Sequence, residues 1–133
     1  MLSPAEIRER YAAVQAAVGP QVTVVAATKY VPVADMAVLL EAGVTVVGEN
    51  RAQDLEAKHA VYGDAFRWHF IGRLQTNKVR SLAPLVAVWQ SVDRAALVAE
   101  IAKRAPGAHV FVQVNATGEA EKGGCSLVEA KGL

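Results

Sequence analysis

Five short polar clusters could carry chemistry in this chain, and each directly follows an apolar run: Thr28-Lys29, Gly48-Glu49-Asn50, Gly72-Arg73-Leu74-Gln75, Ser91-Val92-Asp93 and Asn115-Ala116-Thr117. Lys29 is the most reactive side chain among them. A semi-buried lysine amine in an apolar site has its pKa lowered, which makes it a nucleophile toward an aldehyde and suits it to Schiff-base formation. The competing reading is an ordinary solvated lysine at a strand end. Small Ala26 and Ala27 beside it, and its place in the first loop of the chain, favour a crevice. In Gly48-Glu49-Asn50, the Asn50 amide could face a planar ligand while Gly48 lets backbone approach closely. Equally, Asn50 could simply cap a following helix. His69, inside the ring-rich run Trp68-His69-Phe70-Ile71-Gly72, could be a polar tip in a site or a satisfied core residue. Gln75, Asn77 and Lys78 read as a helix start, where free N–H groups attract anions, or as a solvated helix face.

The elements that would position these clusters follow from periodicity. Ser3-Pro4-Ala5-Glu6 opens a helix with a capping box and a proline at the first helical position, and Gly19-Pro20 ends it. Val22 to Thr28 reads as a strand buried on both faces. Pro32 opens a second helix bearing Met36, Leu39 and Leu40, closed by Gly43. Strands are expected over Val44 to Gly48, Trp68 to Ile71, Leu85 to Val92 and His109 to Asn115. Helices are expected from Asn50 to about Val61, from Gln75 to about Leu82, and from an Asp93 cap to Pro106-Gly107, with another beginning at Ser126. The Glu119 to Gly124 stretch reads as a mobile loop.

Strands alternating with helices imply successive βα units and a parallel sheet, either an open doubly wound sheet or part of a (β/α)8 barrel. In both, ligands bind at the carboxyl ends of the strands, which is where the polar clusters fall. A whole barrel needs about 250 residues, and the chain has 133. Five strands therefore suit either a small open domain or the first part of a longer barrel.

Charge and composition narrow the partners. Lys and Arg number 14 against 13 Asp and Glu, a net charge of +1. That balance gives no electrostatic case for nucleic acid or an anionic membrane. No apolar run approaches the roughly 18 residues of a membrane span. One cysteine, Cys125, and an N-terminus without a secretory pattern imply a soluble protein in a reducing, cytoplasmic setting. His59, His109 and Cys125 form no metal-ligand pattern, and there is no GxGxxG, GxxxxGK[ST] or GxSxG.

The blocks AATKY around Lys29, VVGENRAQ from Val46, WHFIGRLQTNK from Trp68, SVDR from Ser91 and VQVNATGEAEKGG from Val112 stand in an order that closely resembles the pyridoxal phosphate homeostasis proteins, the YggS-like family. The resemblance covers essentially the whole chain. It implies an α/β fold of the parallel (β/α)8 TIM-barrel type, like the N-terminal domain of alanine racemase, present here as about the first five βα units of an incomplete barrel. Residues 1–133 would then be a single domain truncated at its C-terminus, without the family's phosphate-gripping segment. Pyridoxal 5′-phosphate is the implied cofactor and small-molecule partner, held as a Schiff base on Lys29, with Asn50 beside its ring and with His69 and Gly72 in the signature block. The implied role is a vitamin B6 carrier or buffer, with no catalytic residues and no turnover. The alternatives are a racemase-like enzyme using the same cofactor on amino acids, or a Schiff-base aldolase. Tyr30, next to Lys29, is expected to point away from it by strand alternation.

Overall fold

The computed structural model describes residues 1–133. Helix α1 (Pro4–Val18) begins where the sequence requires. The Ser3 hydroxyl accepts from the Glu6 N–H, and the Glu6 carboxylate accepts from the Ser3 N–H at 2.8 Å, so both partners of the capping box are satisfied. Strand β1 (Ala26–Ala27) follows, then helix α2 (Met36–Glu41), entered through a 3-10 turn over Val33–Asp35. Gly43, at φ 88°, takes the left-handed conformation that lets the chain leave α2 without a Cβ clash. Strands β2 (Val46–Glu49), β3 (Arg67–Phe70), β4 (Val88–Val92) and β5 (His109–Val112) alternate with helices α3 (Ala52–Tyr62), α4 (Val79–Leu82) and α5 (Ala95–Arg104). A last short helix, α6 (Leu127–Ala130), carries a second capping box between Ser126 and Glu129. No helix is long and apolar enough to cross a membrane.

All pairings are parallel, and the five strands lie in the order β1-β2-β3-β4-β5. A doubly wound sheet reverses its strand order part-way across. Strict sequential order means that every crossover moves the same way, as in consecutive staves of a (β/α)8 barrel. The fold is therefore α/β of the barrel type, with five βα units present.

Strand alternation divides the sheet into two faces. Val47, Trp68, Phe70, Trp89 and Val92 point toward the helices, where Met36, Leu55, Val79, Leu82 and Leu97 meet them in a core of 17 buried residues. Each such side chain contributes about 1.5–3 kcal/mol by leaving water. Trp68, Phe66 and Tyr62 stack edge-on along one side of this layer. The other face carries Val25, Arg67, His69, Gln90 and Phe111 around an open cavity of about 490 Å³.

Several expected boundaries shift. The run Val22 to Thr28 is not a strand buried on both faces: only Ala26–Ala27 is paired, and Val22 is 52% exposed. β1 is a sheet edge with β2 as its one neighbour, so an apolar run alone does not bury it. β4 begins at Val88 instead of Leu85, and β5 ends at Val112 instead of Asn115. The helix expected from Gln75 is a 3-10 turn, Thr76–Lys78, running into the four residues of α4.

Candidate functional site

Lys29 lies one residue beyond the ladder. Thr28 still donates its N–H to the Gly48 carbonyl at 3.0 Å, and its own carbonyl accepts the Val31 N–H at 2.9 Å. That bond closes a turn whose two central residues are Lys29 and Tyr30. The Lys29 side chain is exposed, and its ammonium sits 5.1 Å from the centroid of the Tyr30 ring. Tyr30 therefore does not point away from Lys29. The turn breaks strand alternation, and the ring, 88% exposed, swings back under the amine.

Lys29, Tyr30, Asn50, Arg51 and Asp54 line one pocket of about 240 Å³. Asn50 reaches it from the end of β2. It does not cap α3: the N-cap position is Arg51, and no side chain caps the helix. The Asn50 amide thus remains at the pocket wall. Gly72 fixes where Asn50 can be, because an added Cβ would stand 2.1 Å from the Asn50 carbonyl oxygen. Its part is to let two loops touch. Gly48 is close-packed in a different way, with Ile71 at 3.0 Å and Val25 at 3.2 Å from the Cβ position. The approach expected there of a ligand is made by side chains.

The geometry therefore brings Lys29, Asn50 and Gly72 to one corner of the strand ends, and leaves His69 apart. His69 lies on the concave face, 5% exposed, with Nδ1 2.8 Å from the Gln90 amide nitrogen. With that amide donating, Nδ1 accepts and the proton sits on Nε2, which has no partner. Burial pushes the His69 pKa below its ordinary value of 6.5, and the nearby Arg67 and His109 push the same way. His69 is a neutral wall residue of the 490 Å³ cavity.

Two further arrangements, the pairing of Glu49 with Lys58 and the gathering of four cations in one cleft, were not read from the sequence. Glu49 and Lys58 form an ion pair behind Lys29, at 0% and 4% exposure, with Thr28 joined to both. The signal was present in phase: Glu49 shares its strand face with Val47, and Lys58 follows Ala52 and Leu55 on the buried face of α3. Opposite charges on two facing apolar stripes mark a buried pair. Arg51, Arg73, Lys78 and Arg94, with Asn50, line a cleft of about 510 Å³ on the outer side of the same rim. Arg94 is held by Asp93 at 2.9 Å and by the Leu74 carbonyl at 2.5 Å. Asp93, expected to cap α5, instead pairs with Arg94 and accepts the Gly124 N–H at 3.0 Å. In the loop before α6, the Asn115 side chain accepts the Gly118 N–H at 2.9 Å and donates to the Glu119 carbonyl at 2.8 Å.

No family model matches the chain. Among characterised proteins it is 42% identical over 112 residues to the pyridoxal phosphate homeostasis protein of Aquifex aeolicus, covering 80% of this chain and 49% of the relative. The protein of that name from Pseudomonas aeruginosa is 37% identical over 129 residues, covering 92% and 55%. Among solved structures, PipY of Synechococcus elongatus with pyridoxal phosphate bound superposes with a TM-score of 0.79 at 30% identity, covering 90% of this chain and 58% of PipY. PipY without the cofactor gives a TM-score of 0.82, covering 95% and 61%. The chain spans about half the length of the curated relatives it matches. By sequence and by fold, the chain is similar to the pyridoxal phosphate homeostasis proteins over about half of their length.

Proposed function

We propose that the chain binds pyridoxal 5′-phosphate through Lys29 and serves the intracellular homeostasis of that cofactor, as a carrier or buffer in the cytoplasm, with residues 1–133 acting as one domain. The observation that carries this reading is the convergence of the Lys29 amine and the Asn50 amide on one 240 Å³ pocket at the strand ends. The donor set fits the group. An exposed primary amine is free to condense with an aldehyde, an uncommitted amide stands beside it, and Arg51 on the same wall supplies charge for a phosphate. When bound, the cofactor would supply an aldehyde, and the Lys29 amine is the group that would condense with it, with release of water. Gly72 positions Asn50, while His69 lines the separate cavity on the concave face. PipY, solved with pyridoxal phosphate bound, supports the assignment.

The reading includes no turnover of amino acids. Lys29 has beside it the Tyr30 ring, 88% exposed, and the half-buried Asp54 carboxylate, and water reaching the exposed amine and ring competes for any proton they would move.

The test is to incubate the chain with pyridoxal phosphate, reduce with borohydride, and map the label by peptide mass. Label concentrated on Lys29 and lost in Lys29→Ala is the expected result. Label spread evenly over Lys29, Lys103, Lys122 and Lys131 would sink the assignment. Exchange of the alanine α-proton above the level of a Lys29→Ala sample would overturn the carrier reading in favour of an enzyme.

A further inference from the structure

β1 is two residues long, lies at the sheet edge and is paired with β2 alone, yet the turn that follows it carries Lys29. What holds that turn lies behind it. The Thr28 carbonyl accepts two hydrogen bonds, one from the Val31 N–H at 2.9 Å and one from the Lys58 ammonium at 2.8 Å. The same ammonium pairs with Glu49 Oε1, which also accepts the Thr28 hydroxyl at 2.5 Å. Thr28 immediately precedes Lys29, and Glu49 immediately precedes Asn50. One closed set of bonds, at most 4% exposed, thus fixes the residues before both members of the pocket.

As a device for stability this arrangement is a poor choice. Two charges taken out of water lose solvation that their attraction only partly returns, and well-packed apolar residues of the same volume often do as well or better. The second carboxylate oxygen, Glu49 Oε2, is buried without any partner, which adds to the cost. Apolar side chains would pack α3 on the sheet as Leu55 and Val47 already do. What they could not do is donate to the Thr28 carbonyl.

We propose that Lys58 and Glu49 are positioning residues, which set the direction from which the Lys29 amine enters the pocket it shares with Asn50, a role that rests on the pyridoxal phosphate function proposed above. Lys58 anchors the first corner of the Lys29 turn, and Glu49 ties that corner to the end of β2. Neither touches the pocket.

Lys58→Met/Glu49→Leu removes the network and leaves no buried charge. The double variant is expected to melt no lower than the unsubstituted chain, while borohydride-trapped pyridoxal phosphate accumulates on its Lys29 about tenfold more slowly, since misplacement of a nucleophile by even an ångström slows its reaction. Lys58→Arg, which keeps a charged donor, recovers most of that rate. Equal labelling rates in the folded double variant and the unsubstituted chain overturn the positioning role and leave the cofactor function standing. If the unsubstituted chain takes no label on Lys29, the cofactor function falls, and amide exchange then decides. The Val31 N–H should exchange slowly in the unsubstituted chain and fast in the double variant, and equal exchange in both overturns the role. Thr28→Val, which removes only the hydroxyl, carries the same comparisons with a smaller expected loss if the double variant does not fold.

Discussion

Gly72 lies against Asn50 so closely that a Cβ on it would stand 2.1 Å from the Asn50 carbonyl oxygen and 2.7 Å from its Cα. Both atoms are backbone, and the contact joins the loops after β2 and β3. Neither loop can yield without moving its strand end. Gly72→Ala should therefore destabilise the chain by about 1–3 kcal/mol, the usual range for an overpacked site. A denaturant titration checks it: the midpoint falls while the slope is unchanged. The same variant should lose Lys29 labelling by pyridoxal phosphate, because Asn50 must shift to make room. A midpoint equal to that of the unsubstituted chain would show that the loops can part freely.

Trp68 and Trp89 occupy the same layer, each 1% exposed, and differ in one bond. The Trp68 Nε1–H donates to the Gly63 carbonyl at 2.8 Å, whereas the Trp89 Nε1–H is buried without a partner. Replacing either by Phe removes similar volume. Trp68→Phe also leaves a carbonyl unpaired, while Trp89→Phe removes a donor that was costing free energy where it stood. Trp68→Phe should thus be the more damaging by about 1 kcal/mol. Equilibrium unfolding of the two variants side by side decides it, and equal losses would mean that the Trp89 nitrogen has a partner in solution.

The βα alternation and the two faces of the Trp68 to Ile71 strand were legible because they depend on local periodicity. Trp68 and Phe70 do point toward the helices, and His69 and Ile71 do point to the other side. Caps written in the sequence, at Ser3 and Ser126, are also where they should be. What periodicity does not contain is which strand becomes an edge. Val22 to Val25 are an apolar stretch broken only by Thr23, yet they lie outside the ladder, on the strand that has β2 as its single neighbour. Side-chain partners are likewise tertiary: Asp93 has the spacing of a cap but finds Arg94 and the Gly124 N–H instead. Lys29 and Asn50, 21 positions apart by their numbering, meet because adjacent parallel strands end at one level. The pairing of Glu49 with Lys58 was hidden by their charge, which suggests a solvated face until the helical phase is set against the strand's.

His69 gives the fold a pH dependence whose sign can be worked out. Burial lowers its pKa below 6.5, reinforced by Arg67 on its own strand and His109 on β5, while Gln90 on β4 supplies an uncharged amide. The unfolded chain therefore binds a proton on this residue at a higher pH than the folded chain does. Stability is full above about pH 6.5, and it falls as the pH drops from there through the folded pKa, levelling off below it. Unfolding followed between about pH 8 and pH 5 should show that decline, within the range where histidine alone titrates at its ordinary pKa. His69→Gln keeps a polar side chain on the concave wall and cannot titrate. Its unfolding free energy should fall less steeply over the same range, crossing or approaching that of the unsubstituted chain at the acid end. An identical slope in His69→Gln would place the acid sensitivity on another group and would show that His69 can take up a proton in the folded state at no cost.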